Sequence, residues 1–516
     1  MYSKQHALWA EYRKHRPKKS KKWTDDYWFR THLQEYCKVT TLHGLHHTAN
    51  NEFSKIERVF WAMVTVFSLG VAGLLAYLLL YRFQRSPTIT TVETYSYPTW
   101  KIPFPAVTLC NMNRVRKSVV NEMSEKLSRY QINRSDTENY FQKIITLITR
   151  HNVEFSGSDQ FVEQSVLKEF NNPNSTIEDI MYMVSQPCSE LLVHCGWNGL
   201  RTDCAKMFRP SKSLDGHCCS FNYNIHGKDR FIDPNQLNPE YIAGTGRSDG
   251  LSVVLNTNSE DYYSATAPYF GIRILLHSTD VFPETSLLSE VIQPGNGMKI
   301  TINPYYVKSE DNVRKLKLSQ RLCLFPDESR LLTLNEYDYQ QCITECRINI
   351  IRQFCNCIPF IYPIDLNSSI MCNLTHAKCL HQNSIVFSNL LPDNANENSE
   401  SICSRCLPEC SEVIYTMTSS IARQPTHNYT ISPEIPNNYS VLRIVFQDIS
   451  CIKYRREAMV TWDTLVASIG GIFGLCLGGS VLSIVELIYY FTIRLYKKIH
   501  ETNKRQKKIA PLHFLR

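Results

Sequence analysis

The chain has 516 residues, 43% of them hydrophobic and 20% charged, a composition that supports a sizeable core and more than one subdomain. Net charge is +8, but the excess is local: residues 1–58 hold 12 Lys/Arg and the tail from Arg494 holds 8. Both clusters flank apolar runs, so a membrane surface is favoured over nucleic acid as their partner.

In chain order, the first element is a polar, basic segment, residues 1–58. His43, His46 and His47 have a spacing that suggests a metal, but no further ligands are evident around them. Val59 to Tyr81 follows, 23 residues without a charge. As a helix this run is about 35 Å long against a bilayer core of about 30 Å. It is too long for the apolar region of a signal peptide and is preceded by a long polar stretch, so the N-terminus is expected in the cytosol. A second apolar run, Thr464 to Ile493, carries one charge, Glu486. Two spans return the C-terminus to the cytosol, and both ends carry the basic excess that this topology requires.

The intervening residues are then expected outside. Six glycosylation sequons fall there, at Asn133, Asn174, Asn367, Asn373, Asn428 and Asn438. So do 17 of the 19 cysteines; only Cys37 and Cys476 lie elsewhere. That distribution suits an oxidising compartment. Pairs such as Cys342/Cys346, Cys355/Cys357 and Cys403/Cys406 also look like zinc ligands. Sequons threaded among them weigh against a cytosolic zinc domain. Within this region, 271–280 and 297–307 mix β-branched and polar residues and predict strands. Tyr337 to Cys355 predicts a helix with Cys342 and Cys346 one turn apart on one face, and Leu391 to Ser401 a polar loop. The class is mixed α+β with local disulfide stapling. A helix bearing Cys342 and Cys346 could be clipped to a segment bearing Cys406 and Cys403, but sequence alone leaves connectivity open.

The second apolar run carries the chemistry. A cation crossing a bilayer needs oxygen ligands in place of its hydration shell. Backbone carbonyls become available only where a helix breaks, and a break is tolerated at membrane depth only where protein or water shields it. Gly478, Gly479 and Ser480 suit such a break, and Ser480 adds a hydroxyl. The competing reading is packing: Gly470, Gly474 and Gly478 recur every fourth residue, a spacing for close helix contact. Ser480, Ser483 and Glu486 share a loose helix face. An acidic side chain at mid-bilayer costs about 2.5–3.5 kcal/mol on insertion scales. Glu486 lies about 34 Å along a helix from Asp463, so if Asp463 marks the outer mouth Glu486 sits at the cytosolic end. A ring of such carboxylates attracts cations; the alternative is a snorkelling glutamate near Arg494.

These residues, taken together, resemble the degenerin/epithelial sodium channel family, and its insect pickpocket branch most of all. The motifs are Leu42–His47 (LHGLHH), Phe104–Asn111 (FPAVTLCN), Cys218–Asn222 (CCSFN), Cys342–Arg347 (CITECR), Cys355–Phe360 (CNCIPF) and Gly474–Leu487 (GLCLGGSVLSIVEL). The resemblance covers nearly the whole chain. It implies a trimeric membrane channel with two transmembrane helices and a large disulfide-rich extracellular domain of palm, β-ball, knuckle, finger and thumb. The corresponding segments are a cytosolic N-terminus with a His-Gly re-entrant stretch (1–58), a first transmembrane helix (59–82), the extracellular domain (83–459), a pore helix (460–493) and a basic cytosolic tail (494–516).

By position, the resemblance implies the pairs Cys323–Cys410, Cys342–Cys406, Cys346–Cys403, Cys355–Cys379, Cys357–Cys372, Cys110–Cys218 and Cys195–Cys204. Cys188 and Cys219 remain for an extra bridge, and Cys451 is left as a free thiol or an intersubunit link. It implies a selectivity filter at Gly478, Gly479 and Ser480, pore-lining roles for Ser483, Glu486 and Asp463, and gating roles for His43, Gly44, Ala467 and Ser468. Bulky side chains at Ala467 would hold the pore open. Ser468 stands where acid-gated members carry aspartate, and Lys315–Cys323 lacks their Pro-Trp loop, so acid gating is not expected. No Pro-Pro-x-Tyr motif follows the second span.

The expected function is a sodium-selective, amiloride-sensitive, voltage-independent channel subunit of the plasma membrane. It would work in sensory or epithelial cells, in salt or chemical taste, mechanosensation or liquid clearance. Its partners are Na+ as permeant ion, the lipid bilayer, and copies of itself or related subunits in a homo- or heterotrimer; no cofactor, no nucleic acid and no metal beyond permeating Na+ are expected. The alternative is a non-conducting auxiliary or receptor subunit of the same family. A nucleotide-gated two-span channel fits the cysteine pattern less well, and no nucleophile–base constellation or phosphate loop supports an enzyme.

Overall fold

A computed structural model describes residues 25–501, apart from 86, 150–154, 171, 225–238, 243, 246–248, 285–287, 333, 335, 364–369, 391–401, 425–435 and 437. The loop expected at Leu391–Ser401 and the sequon residues Asn367 and Asn428 therefore lie outside the described residues. The chain divides into two compact units, one from its two ends (Met1–Pro87 and Ala458–Arg516) and one from Thr88–Glu457.

In the unit built from the ends, an N-terminal helix Asp25–Val39 is followed by a short helix Leu45–Ala49 and a long apolar helix Lys55–Arg85. The last runs beyond the apolar stretch Val59–Tyr81 at both ends. Charged residues there do not oppose helix: Glu57 lies in the first turn and Arg82 and Arg85 in the last, the order the helix dipole favours. This helix is long and apolar enough to cross a membrane by itself. The second apolar run forms two helices, Trp462–Leu477 and Val481–Tyr489, separated by Gly478–Ser480. Its helical continuation to Glu501 is bent by 73° from the first half, and the two halves together also meet the length and apolarity of a span.

The unit Thr88–Glu457 is mixed α and β. Its larger sheet runs in the order Thr88–Pro98, Ser450–Ala458, Asn296–Ser309, Ser440–Phe446, Leu251–Leu255, Leu192–Trp197 and Leu200–Thr202. Asn296–Ser309 also pairs antiparallel along Glu412–Arg423, from Asn296 opposite Arg423 to Val307 opposite Glu412. On its other side it is parallel to 440–446 through Ile302 and to 450–458 from Tyr305. Pro304, which lacks a backbone donor, falls where the first of these neighbours ends and the second has not begun. A five-stranded sheet has Ala106–Asn111 at its centre, buried on both faces, which is why that run is apolar without alternation. Phe104, Leu109, Ile274, Ile300, Ile302 and Leu442 fill the core shared by these strands. A second core, with Tyr140, Phe141, Ile180, Ile351 and Phe387, lies among the helices.

Eight disulfides close in this unit: Cys110–Cys218, Cys188–Cys219, Cys195–Cys204, Cys323–Cys410, Cys342–Cys406, Cys346–Cys403, Cys355–Cys379 and Cys357–Cys372. Cys451 is free and buried, and burial raises its thiol pKa. The helix Tyr339–Cys355 presents Cys342 and Cys346 to the segment carrying Cys406 and Cys403. Asn133, Asn174, Asn373 and Asn438 are exposed, as glycan attachment requires.

The N-terminus of that cysteine-bearing helix holds an acid pair. Asp338 caps it, its Oδ1 accepting from the Gln341 amide at 2.8 Å, and Glu409 Oε1 accepts from the Tyr339 amide at 3.2 Å. The two carboxyls are buried neighbours, so the charge on one disfavours ionisation of the other. Burial, then the adjacent Asp338 charge, pushes Glu409 up to about 8. An unfolded glutamate titrates near ~4.3. A folded value above the unfolded one means that stability is lost as pH rises between the two. Thermal melting of the full chain in detergent between pH 5 and 8 is therefore expected to decline less steeply for Glu409→Gln than for the unmodified protein. Identical slopes would contradict the assignment.

Candidate functional site

Gly478–Ser480 interrupts the second apolar helix for local reasons. The first half, Trp462–Leu477, starts at a capping box, with the Thr461 amide donating to Thr464 Oγ1 at 2.8 Å. It ends at Gly478, whose φ of 62° is left-handed, a conformation that glycine adopts without penalty. The second half starts at Ser480. Its hydroxyl accepts from the Ser483 amide at 3.3 Å, while Ser483 Oγ accepts from the Ser480 amide at 3.2 Å. A left-handed stop and a serine start thus follow within three residues, and the helix axis turns between them.

Such a break leaves carbonyls without a partner in their own helix. One is met from the other end of the chain. The turn Thr40–Gly44 lies against the break, and the His43 amide donates to the Leu477 carbonyl at 2.8 Å. The contact is close enough that a Cβ at Gly478 would lie 2.4 Å from His43 Nδ1. Gly44, with φ 84°, is equally constrained: a Cβ there would lie 2.6 Å from Thr65 Oγ1 on the long apolar helix. Thr41 reaches further along the second half. Its hydroxyl is 2.9 Å from Ser483 Oγ and donates to Glu486 Oε2 at 3.0 Å, and its amide donates to the same oxygen at 3.2 Å.

The residues singled out in the sequence divide into two groups. His43, Gly44, Gly478, Gly479, Ser480, Ser483 and Glu486 come together around the break. Asp463, Ala467 and Ser468 lie about three to four turns earlier on the first half, exposed in the single chain. The packing expected of Gly470 is not made among the described residues, where nothing lies within 4 Å of a Cβ placed there. Arg494 does not pair with Glu486; it lies over the Tyr490 ring at 4.5 Å and bonds its hydroxyl. His46 and His47 are engaged structurally, His46 Nδ1 with the Lys38 carbonyl at 3.0 Å and His47 against Trp61 at 4.6 Å between ring centroids. Thr41 was not singled out from sequence. The available signal was a threonine pair directly before Leu-His-Gly, matched by Ser483 and Glu486 three residues apart elsewhere.

The groups assembled here are backbone carbonyls, hydroxyls, one carboxylate and the His43 imidazole. The oxygen atoms among them are of the kind that replaces the hydration of a hard cation. Among the described residues no cluster of three or more His, Cys, Asp or Glu is arranged to hold a metal.

The family profile described as amiloride-sensitive sodium channel matches residues 36–490, which includes every residue of the break and of the His-Gly turn. The sodium channel protein Nach of Drosophila ananassae is 25% identical over 484 residues, covering 92% of this chain and 89% of the relative. Pickpocket protein 28 of Drosophila melanogaster is 25% identical over 517 residues, covering 92% and 80%. The bile acid-sensitive ion channel of Mus musculus is 24% identical over 491 residues, covering 90% and 88%. These relatives are ion channels, not enzymes.

The geometry makes adjacent glycines unequal. At Gly478 an alanine meets both a left-handed backbone, costing about 1–2 kcal/mol, and the His43 ring. At Gly479 the nearest neighbour of an added Cβ is Leu42 Cδ2, at 3.4 Å. Gly478→Ala is expected to lower the melting temperature of the detergent-solubilised chain more than Gly479→Ala; the reverse order would contradict this packing.

Proposed function

The chain belongs to the amiloride-sensitive sodium channel family, and from that premise we propose that it is a sodium-selective, amiloride-blocked, voltage-independent channel subunit. It works in the plasma membrane as one third of a homo- or heterotrimer, with both termini cytosolic and residues 83–459 outside. The observation that carries this reading is the oxygen-lined break at Gly478–Ser480, in a helix pair that meets the requirements of a membrane span. Three copies around an axis would give a ring of carbonyls and hydroxyls narrow enough to select a partly dehydrated cation.

In this reading Gly478, Gly479 and Ser480 form the filter, and Ser483 and Glu486 line the path beyond it. Asp463 marks the outer mouth, about 22 Å from Gly478 along the helix. Thr41 supplies two donors to Glu486 and so holds the carboxylate in one orientation beside Ser483. His43 and Gly44 set the closed-to-open balance by holding the Leu477 carbonyl. Ala467 and Ser468 lie on the exposed face of the first half, where a subunit neighbour would pack. A small side chain at 467 lets three helices approach, and a bulky one keeps them apart. The physiological setting is a sensory or epithelial cell.

Voltage clamp of oocytes expressing Ala467→Phe tests this. A constitutive sodium current blocked by amiloride is expected, and Glu486→Gln in that background should reduce it. Absence of current from the variant alone and with every related subunit co-expressed would overturn the proposal. Silence alone but current with a partner would identify an obligate heteromer, and a current then unaffected by Ser480 or Glu486 substitution would place this chain in the non-conducting auxiliary role.

A further inference from the structure

The second half-helix is attached to the first only through Gly-Gly-Ser, the most pliable link in the apolar run. Its direction must therefore be set by something else. The turn at Thr41–His43 fixes its beginning, as described above. A separate set of contacts, from the N-terminal helix Asp25–Val39, fixes its far end. Glu35 pairs with Lys498 at 2.8 Å. His32 Nε2 donates to the Tyr490 carbonyl at 3.2 Å. Tyr36 stands edge-on to both Tyr490 and Phe491, at 5.4 Å between centroids in each case. His32, Tyr36 and Tyr490 are all buried in this cluster.

The backbone at this point is unusual. Tyr490–Arg494 is a π-turn in an otherwise α-helical stretch. A π-turn widens the helix and disturbs the regular i→i−4 pattern, which makes a carbonyl available for an outside donor. The carbonyl taken by His32 is that of Tyr490, the first residue of the turn. Nearby charge is arranged to match: Lys498 holds the Glu35 carboxyl below the usual range, with Arg494 contributing to the same effect.

We propose that residues 32–43 act as a splint that spans the second half-helix, and that His32 and Glu35 are positioning residues which hold its 73° bend through Tyr490 and Lys498. They touch neither the break nor the permeating ion. They act by fixing the angle at which Ser483 and Glu486 are presented. The functional consequence rests on the channel reading above; the splint itself does not.

The test has two arms for that reason. In a background with Cys37→Ser and Cys476→Ser, Glu35→Cys and Lys498→Cys are combined in the full chain, with a protease site placed in the 391–401 stretch. A short bis-maleimide applied to membranes should leave the two halves joined after cleavage and reduction. Single-cysteine chains, and the two singles co-expressed, should separate. Separation of the halves in the doubly substituted chain, or joining only between co-expressed singles, overturns the splint whether or not the chain conducts.

The second arm is single-channel recording in the Ala467→Phe background. Glu35→Lys and Lys498→Glu should each change open probability by roughly two- to fivefold, the range expected for a partly exposed ion pair. The combined reversal, Glu35→Lys with Lys498→Glu, should return it towards the unmodified value. His32→Ala should mimic the single reversals, and His32→Gln, which retains a side-chain donor, should restore function. A combined reversal no closer to normal than either single change would overturn the positioning role.

Discussion

A backbone carbonyl buried away from water must find a donor, and the Leu477 carbonyl finds one in the His43 amide. Much else in the unit built from the two ends of the chain depends on that bond. It requires the Thr40–Gly44 turn to lie against the helix break. That closeness in turn excludes a side chain at Gly478 and, through Thr65, at Gly44. It also brings Thr41 to Ser483 and Glu486, so the one acidic group in the apolar run has donors rather than an unpaired charge. A break that would be costly in an isolated helix is tolerable because 434 residues of chain return to cap it.

The other unit solves a different problem. Its strands and its helices bury separate apolar sets rather than one continuous core. Two cores and eight disulfides share the work. The cysteine-bearing helix is tied by Cys342 and Cys346 along one face and by the Asp338–Glu409 acid pair at its start. Cys323–Cys410, beside Glu409 in sequence, closes a smaller cluster with Val313 and Phe325.

Local features were legible in the sequence because they depend on near neighbours. The strands at 271–280 and 297–307 and the helix at 337–355 appear as Ile272–His277, Asn296–Ser309 and Tyr339–Cys355. The break at Gly478–Ser480 was legible because glycines and a capping serine write their own backbone. The ends of the first apolar helix were underestimated, since a reading based on charge stops at Arg58 and Arg82 while the helix does not. What could not be read is contact across the chain. Thr41 and Glu486 are 445 residues apart, and neither has a local pattern that names the other. The same holds for His32 with Tyr490 and for Glu35 with Lys498. Cysteine spacing left connectivity open; the family resemblance supplied pairs, and the disulfides that close are those. The repeated glycines read as a packing stripe, yet Gly470 meets nothing among the described residues of its own chain.

If ions pass the break at Gly478–Ser480, the decisive quantity is selectivity rather than current size. Reversal potentials in the Ala467→Phe background should be measured as external sodium is exchanged for potassium, with and without Ser480→Ala. A strong sodium preference that Ser480→Ala weakens is expected, because a change in ion preference requires a change along the ion's path. A reversal potential that follows sodium equally well in both forms would contradict it.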